Sequence, residues 1–191
     1  MQEKNFDTIL DDYAFFETHS TEAAEDRKAY HRYLKIFGEK KELVRMLDFG
    51  AGTGTFTAAL LRQLAWPPEQ LKLALVEPGE QARKNALRRL RPFSTHTIAH
   101  FGALPTDLKA RFDLILANHV FYYVPGLTGL LRLLAHYRKA HGLILIAMAG
   151  IDNALIQCWA TGFGLAGKPI PYHTAEDLQS ALDDLGMYYE R

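Results

Sequence analysis

Met46-Leu-Asp-Phe-Gly-Ala-Gly-Thr-Gly-Thr-Phe-Thr57 decides the reading of this chain. An apolar, strand-like run over residues 43–47 delivers Asp48 into a loop whose glycines are Gly50, Gly52 and Gly54. Phe56, Ala59, Leu60 and Leu64 then repeat with helical spacing. Glycines at alternate positions let the backbone turn tightly and let a ligand lie against the main chain, because no Cβ stands in the way. The pattern is that of a nucleotide-like cofactor at a first strand–helix turn. A dinucleotide fingerprint would need glycine at position 55, which is Thr55. An acid two residues before the first glycine also sits badly with a pyrophosphate. It suits a cofactor that carries an ammonium and a sulfonium.

Composition narrows the remaining classes. A chain of 191 residues can bury one full hydrophobic core. Acidic and basic residues balance at 22 each, so no global field draws nucleic acid or an anionic membrane. The basic cluster Arg83, Lys84, Arg88, Arg89 and Arg91 alternates with Ala82, Ala86, Leu87 and Leu90 at helical spacing. That spacing favours a solvated helix face over an RNA-binding patch. A lone cysteine, Cys158, permits no internal disulfide and fits a reducing, cytoplasmic compartment. The N-terminus is too acidic for a signal peptide, and no apolar run approaches a membrane span.

The rest of the chain alternates strands and helices without a repeat or linker. Two helical segments come first, over residues 5–18 and 21–37, the second opened by Ser20 or Thr21 as a cap. Strands are expected over 44–49, 71–77, 95–101, 112–118 and 143–149. Helices are expected over 54–64, 80–90, 127–141, a short piece near 106–110, 151–160 and 175–185 capped by Thr174, with a Gly/Pro-rich loop over 162–171. Runs such as Leu114-Ile-Leu and Leu143-Ile-Leu-Ile read as strands buried on both faces. The expected fold is α/β: one domain, residues 1–191, with a doubly wound, mostly parallel Rossmann-like sheet. Residues 1–40 would form a helical lid, 41–150 the cofactor-binding core and 151–191 a C-terminal helical segment. Ligands should gather at the carboxyl ends of the strands, near the switch in strand order.

Glu77 ends the second strand before Pro78. A carboxylate there, one βα unit after the glycine loop, can accept hydrogen bonds from both hydroxyls of a ribose. The plainer reading is a surface glutamate before a proline turn, and the glycine loop upstream favours the ribose. The loop after the third strand, with Gly102 and Ala103, could pack on an adenine ring, though no residue in it is diagnostic. The fourth strand ends in Asn118 and His119, followed by Tyr122 and Tyr123. His119 could act as a base or meet an amine, and the tyrosines could flank a cation or simply pack together. His96 and His100 are four apart but lack a third ligand, so no metal is expected. Cys158, beside Trp159 on an amphipathic helix, is expected to be buried. No Ser-His-Asp grouping is legible.

The glycine loop resembles the first motif of class I S-adenosylmethionine-dependent methyltransferases. Tyr13-Ala-Phe-Phe-Glu-Thr-His-Ser-Thr-Glu22 is similar to the segment before the sheet in the histamine N-methyltransferase family. So are Val76-Glu-Pro78, Tyr122-Tyr-Val124, Leu143-Ile-Leu-Ile with Ala149-Gly150, Trp159, Gly162 and the closing stretch from Tyr172 to Glu190. The resemblance implies S-adenosyl-L-methionine as cofactor, held by Asp48, Gly50, Gly52, Gly54, Glu77 and Asn118. It implies a small-molecule acceptor methylated on an amine nitrogen, bound by Glu22, His119, Tyr123 and Trp159. Catalysis would rest on positioning rather than on a protein nucleophile, with His119 available as a base. His119 stands where that family has glutamine, which argues against histamine itself. Base and amide methyltransferases carry Asn-Pro-Pro-Tyr or Asp-Pro-Pro-Tyr after this strand, and the prolines are missing here. The chain also ends at Arg191, where the family's sixth strand would begin, so its C-terminal hairpin is expected to be absent. An open sheet edge could then pair two copies into a homodimer, or the chain could bind the cofactor without catalysis or be completed by a partner.

Overall fold

Val44–Phe49 (β1) and Leu71–Val76 (β2) bury every position but one, Arg45 in the first and Lys72 in the second. Strands hydrophobic on both faces belong inside a parallel sheet covered by helices. In the computed structural model, which describes residues 11, 12, 15 and 19–191, they pair in parallel with Met46 opposite Leu73 and Asp48 opposite Leu75. Ala99–Phe101 (β3) continues the sheet beyond β2, and Phe112–Asn118 (β4) pairs in parallel with β1 on the other side. Arg138–Ala147 (β5) follows β4, giving the order β3-β2-β1-β4-β5. It runs in the same direction as β4. Gly142 lies against the Phe112 and Asp113 carbonyls, and at the far end His119 N–H donates to the Ala147 carbonyl at 2.9 Å. The chain winds outward from β1 to β3, then returns to β4, so strand order reverses between β1 and β4. This is the expected doubly wound fold.

The helices are Glu22–Glu39 (α1), Thr55–Leu64 (α2), Glu80–Leu90 (α3), Leu127–Tyr137 (α4), Ala154–Leu165 (α5) and Ala175–Asp184 (α6). Spacing makes α1 amphipathic: Tyr30, Leu34 and Gly38 are buried one turn apart. Tyr30 meets Phe56, in the first turn of α2, edge-on with centroids 6.0 Å apart. Gly38 lies so close to the Trp66 indole that a Cβ would not fit. Gln70 Nε2 then closes the C-terminus of α1 by donating to the Gly38 and Lys41 carbonyls at 2.7 and 2.6 Å. Thr174 caps α6 through a reciprocal box with Asp177. Contacts divide the chain into two units: the described residues up to Ala117 with Tyr137–Leu145, and Asn118–His136 with Ile146–Arg191.

Several boundaries differ from the sequence reading. The expected helix over 5–18 lies mostly outside the described residues. The third strand begins at Ala99, not 95, because residues 94–96 bond elsewhere: Ser94 Oγ to the Leu71 carbonyl, Thr95 N–H to Pro68 and the His96 ring to Glu69. No helix forms over 106–110. Tyr137 organises that loop instead, donating to the Pro105 carbonyl at 2.6 Å and accepting from Leu108 N–H at 3.2 Å. The helix expected to reach 141 stops at Tyr137, where β5 starts directly. The next helix covers Ala154–Leu165, with Asn153 as cap, so part of the expected Gly/Pro loop is helical. Among the described residues no strand follows β5.

Asp113 ties the first unit together. It is 3% exposed and accepts from Lys41 Nζ at 3.1 Å, Lys139 Nζ at 2.7 Å and Arg45 N–H at 3.0 Å. Burial alone would raise its pKa, but Lys139, the Arg45 N–H and Lys41 together hold it below the ordinary aspartate value. Such a group adds stability above its unfolded pKa and loses it as pH falls through the folded one. Asp113→Asn should therefore cost about 3 kcal/mol at pH 7 in urea unfolding, because two lysines lose their partner. The deficit should shrink in acid.

Candidate functional site

The glycine loop is built before any ligand arrives. Gly50 and Ala51 N–H both donate to the Val76 carbonyl, at 2.8 and 3.1 Å, which pins the loop to the end of β2. Gly50, Gly52 and Gly54 all have positive φ, at 74°, 52° and 75°. Two of these positions favour glycine for separate reasons. A Cβ on Gly54 would stand 2.9 Å from Ala86 Cα, so glycine lets α2 start against α3. At Gly52 nothing lies within 4 Å of where a Cβ would be, which leaves the main chain bare for a ligand.

Glu77 holds the loop from below. One carboxylate oxygen accepts from Gly52 N–H at 2.8 Å, the other from Gly79 N–H at 2.9 Å, and the residue is 8% exposed. A carboxylate oxygen can accept more than one hydrogen bond, so a group placed this way can also meet a ligand hydroxyl. Asp48, 3% exposed, accepts from Thr57 Oγ1 at 2.7 Å. Burial pushes its pKa up to about 7; the Thr57 bond opposes the rise and the negative Glu77 adds to it. Two carboxylates thus flank a bare loop, and the inner one is short of positive charge. A cationic, hydroxyl-bearing ligand answers both conditions.

Two further side chains brace the loop, and sequence reasoning assigned neither. Arg83 Nη1 donates to the Glu77 carbonyl at 2.6 Å, and Arg89 Nη1 donates to the Thr53 carbonyl at 2.6 Å and Thr55 Oγ1 at 2.8 Å. The α3 cluster expected to be a solvated face is thus partly structural. Helical spacing carried no signal for these bonds, because it shows only that the face is polar. Glu22 begins α1 in the same unit, half-buried, its N–H bonded to Ser20 Oγ at 3.2 Å. The His96 ring is engaged with the Glu69 carbonyl, and among the described residues no His/Cys/Asp/Glu group could hold a metal.

The second unit gathers the other expected residues. Asn118 ends β4. His119 follows in the left-handed region, φ 53°, a conformation costly for a side chain with a Cβ. Tyr122 secures it: its hydroxyl meets His119 Nδ1 at 3.0 Å and accepts from Ala149 N–H at 2.6 Å, while the two rings lie nearly parallel. Tyr122 therefore has a structural part. Tyr123 and Trp159 come together through a third ring that sequence reasoning gave no role, Tyr172, with centroids 6.4 and 5.5 Å away. Phe163 adds a fourth ring at 6.4 Å. Burial raises the pKa of Tyr172, whose hydroxyl is buried without a hydrogen-bond partner. Cys158, expected to be buried, is exposed: its helix turns Ile156 inward instead.

Residues 18–190 match the methyltransferase domain family. Among solved structures, the plantazolicin methyltransferase BpumL, in complex with a monoazolic desmethylPZN analog and SAH, is 18% identical. That alignment covers 90% of this chain and 60% of the other, with a TM-score of 0.56. Magnesium protoporphyrin IX methyltransferase from Synechocystis PCC 6803, with bound SAH, is 15% identical, covering 87% and 74%, with a TM-score of 0.62. At these identities the likeness establishes the fold. The chain spans about 60% of the length of the first of these structures. No curated protein sequence matches it.

Asp48 gives the site a pH signature. Its folded pKa lies above its unfolded one, so the native state holds the extra proton and stability declines as pH rises from about 4 to about 7. Asp48→Asn should flatten that decline and make the protein more stable at pH 8, on the order of 2 kcal/mol, in urea melts. A decline retained in the variant would place the titrating group elsewhere.

Proposed function

We propose that this chain, which belongs to the methyltransferase domain family, binds S-adenosyl-L-methionine on its glycine loop and methylates the amine nitrogen of a small molecule. One observation carries the cofactor reading: Asp48 and Glu77 flank a loop whose main chain at Gly52 is unshielded. Glu77 would hold the ribose hydroxyls, and Asp48 would face the ammonium of the amino-acid end. Gly50, Gly52 and Gly54 would let the backbone approach the ligand, with Asn118 adding a contact from the end of β4. Bound cofactor would supply an activated methyl group to the acceptor nitrogen, which gives up a proton once methylated.

The protein's own part is positioning and water exclusion, which suffice for an activated donor. Glu22 would neutralise a cationic group on the acceptor. Tyr123 and Trp159, packed on Tyr172, would supply aromatic walls. His119, oriented by Tyr122, would accept the released proton. Residues 1–40 would cover the cofactor as a lid. Among the described residues no helix is long and apolar enough to cross a membrane, and the balanced charge and lone cysteine support a cytoplasmic protein without a nucleic-acid partner. A second reading is supported by β5, which lies at one edge of the sheet: the chain would bind cofactor without turnover until a second copy or another protein completes the sheet there.

Calorimetric titration with S-adenosylmethionine, followed by methyl transfer to a panel of amines, separates these readings. Absence of binding at millimolar cofactor would sink both, and binding without turnover would favour the second. Glu77→Ala should weaken cofactor binding by roughly 1–3 kcal/mol, through the lost ribose bonds and the released Gly52. Unchanged affinity would remove Glu77 from the site. Glu22→Gln should raise KM for a cationic acceptor while leaving cofactor affinity alone; an unaltered KM would take the acceptor role from Glu22.

A further inference from the structure

We infer that Arg27 and Tyr30 of α1 form the seat for the carboxylate at the amino-acid end of the cofactor. The inference rests on the cofactor reading above and deepens it. Along α1, Arg27, Tyr30, Leu34 and Gly38 share one face, and the last three are buried. A hydrophobic residue would suit the first position of such a stripe. Instead Arg27 buries its Nε there without a hydrogen-bond partner, and the Tyr30 hydroxyl is in the same state on a residue 7% exposed. Two buried donors left open on successive turns of one helix face are costly to keep unless a ligand fills them.

Their place along the helix says which ligand group. Tyr30 meets Phe56 in the first turn of α2, and Gly38 meets Trp66 just past its last turn. The two helices therefore run side by side in the same direction. Stepping back one turn from Tyr30, about 4.5 Å along the axis, brings Arg27 beyond the start of α2, to the level of the Gly50–Gly54 loop. The N-cap of α2 is Gly54, which has no side chain to satisfy the first N–H groups. A guanidinium, a phenol and an open helix N-terminus all favour a negatively charged oxygen ligand. Burial and the nearby Asp26 keep Tyr30 protonated, so it can only donate to an anion. Asp48 faces the opposite requirement, a cation. Together these groups match the two charges of an α-amino acid terminus, with the carboxylate on Arg27 and Tyr30 and the ammonium on Asp48.

A structural role is the competing explanation, with Arg27 serving as counter-ion to the neighbouring Asp26. Calorimetry on the full chain distinguishes them using two ligands: S-adenosylhomocysteine, and its decarboxylated analogue, which keeps the ammonium and loses only the carboxylate. Wild type should prefer S-adenosylhomocysteine by about 10–100-fold. In Arg27→Met that preference should collapse while affinity for the decarboxylated analogue stays as it was. Tyr30→Phe should remove part of the preference. If Arg27→Met fails to fold, Arg27→Lys carries the test: it keeps the charge but not the planar fork, and the preference should fall by about 3–10-fold. A preserved ratio in the Arg27 variants, or equal weakening of both ligands, overturns this inference and leaves the cofactor reading standing. Failure of wild type to bind either ligand overturns both.

Discussion

The Glu77 carboxylate is the constraint on which the cofactor half of the molecule depends. Its two oxygens bind N–H groups from opposite sides, Gly52 in the loop after β1 and Gly79 at the start of α3. One side chain thereby joins two consecutive strand–helix turns. Arg83 and Arg89 return from α3 to the same turns and grip their carbonyls. A loop of alternate glycines would otherwise be the most entropically costly segment to order. Braced this way, it meets a ligand already shaped, so little affinity is lost to ordering. The same bracing explains Asp48, which sits buried beside a second carboxylate and therefore resists ionising. A cation at this site would relieve that stress directly.

The second unit solves a different problem, how to hold a histidine in a conformation it would not choose. His119 at positive φ is held by its N–H to Ala147 and its ring to Tyr122, while Tyr122 reaches on to Ala149 and its carbonyl accepts from His173. Strain that surrounding bonds over-determine is typical of functional positions. The aromatic cluster centred on Tyr172 adds a polarizable surface with one buried hydroxyl lacking a partner. Under the proposed function a single imidazole and aromatic walls would form a sufficient set of parts, because methyl transfer from a sulfonium asks for little acid–base machinery.

The central strands were legible because burial on both faces writes an uninterrupted apolar run, as in β1, β2 and β4. Helix α3 and the Thr174 cap were legible because their signals are local. What escaped was decided at a distance. The third strand lost its first residues to bonds with the segment before β2, and the 106–110 loop obeys Tyr137, far along the chain. Arg83 and Arg89 looked like solvent-facing charges because a helical pattern shows which face is polar, not what that face bonds. That the loop glycines, Asp48 and Glu77 come together could be read from spacing. Tyr172 could not be linked to Tyr123 and Trp159 in advance, since only the fold brings the three rings together. Cys158 was misjudged because α5 turns a single residue, Ile156, fully inward.

The most direct test of the account is an NMR titration of uniformly 15N-labelled protein with S-adenosylhomocysteine, following the backbone amides of the loop. If the ligand lies on the main chain at Gly52 and shares the Glu77 carboxylate, the Gly50, Gly52 and Gly79 amides should shift together and saturate with one dissociation constant. Saturable binding that leaves those three resonances in place would contradict it.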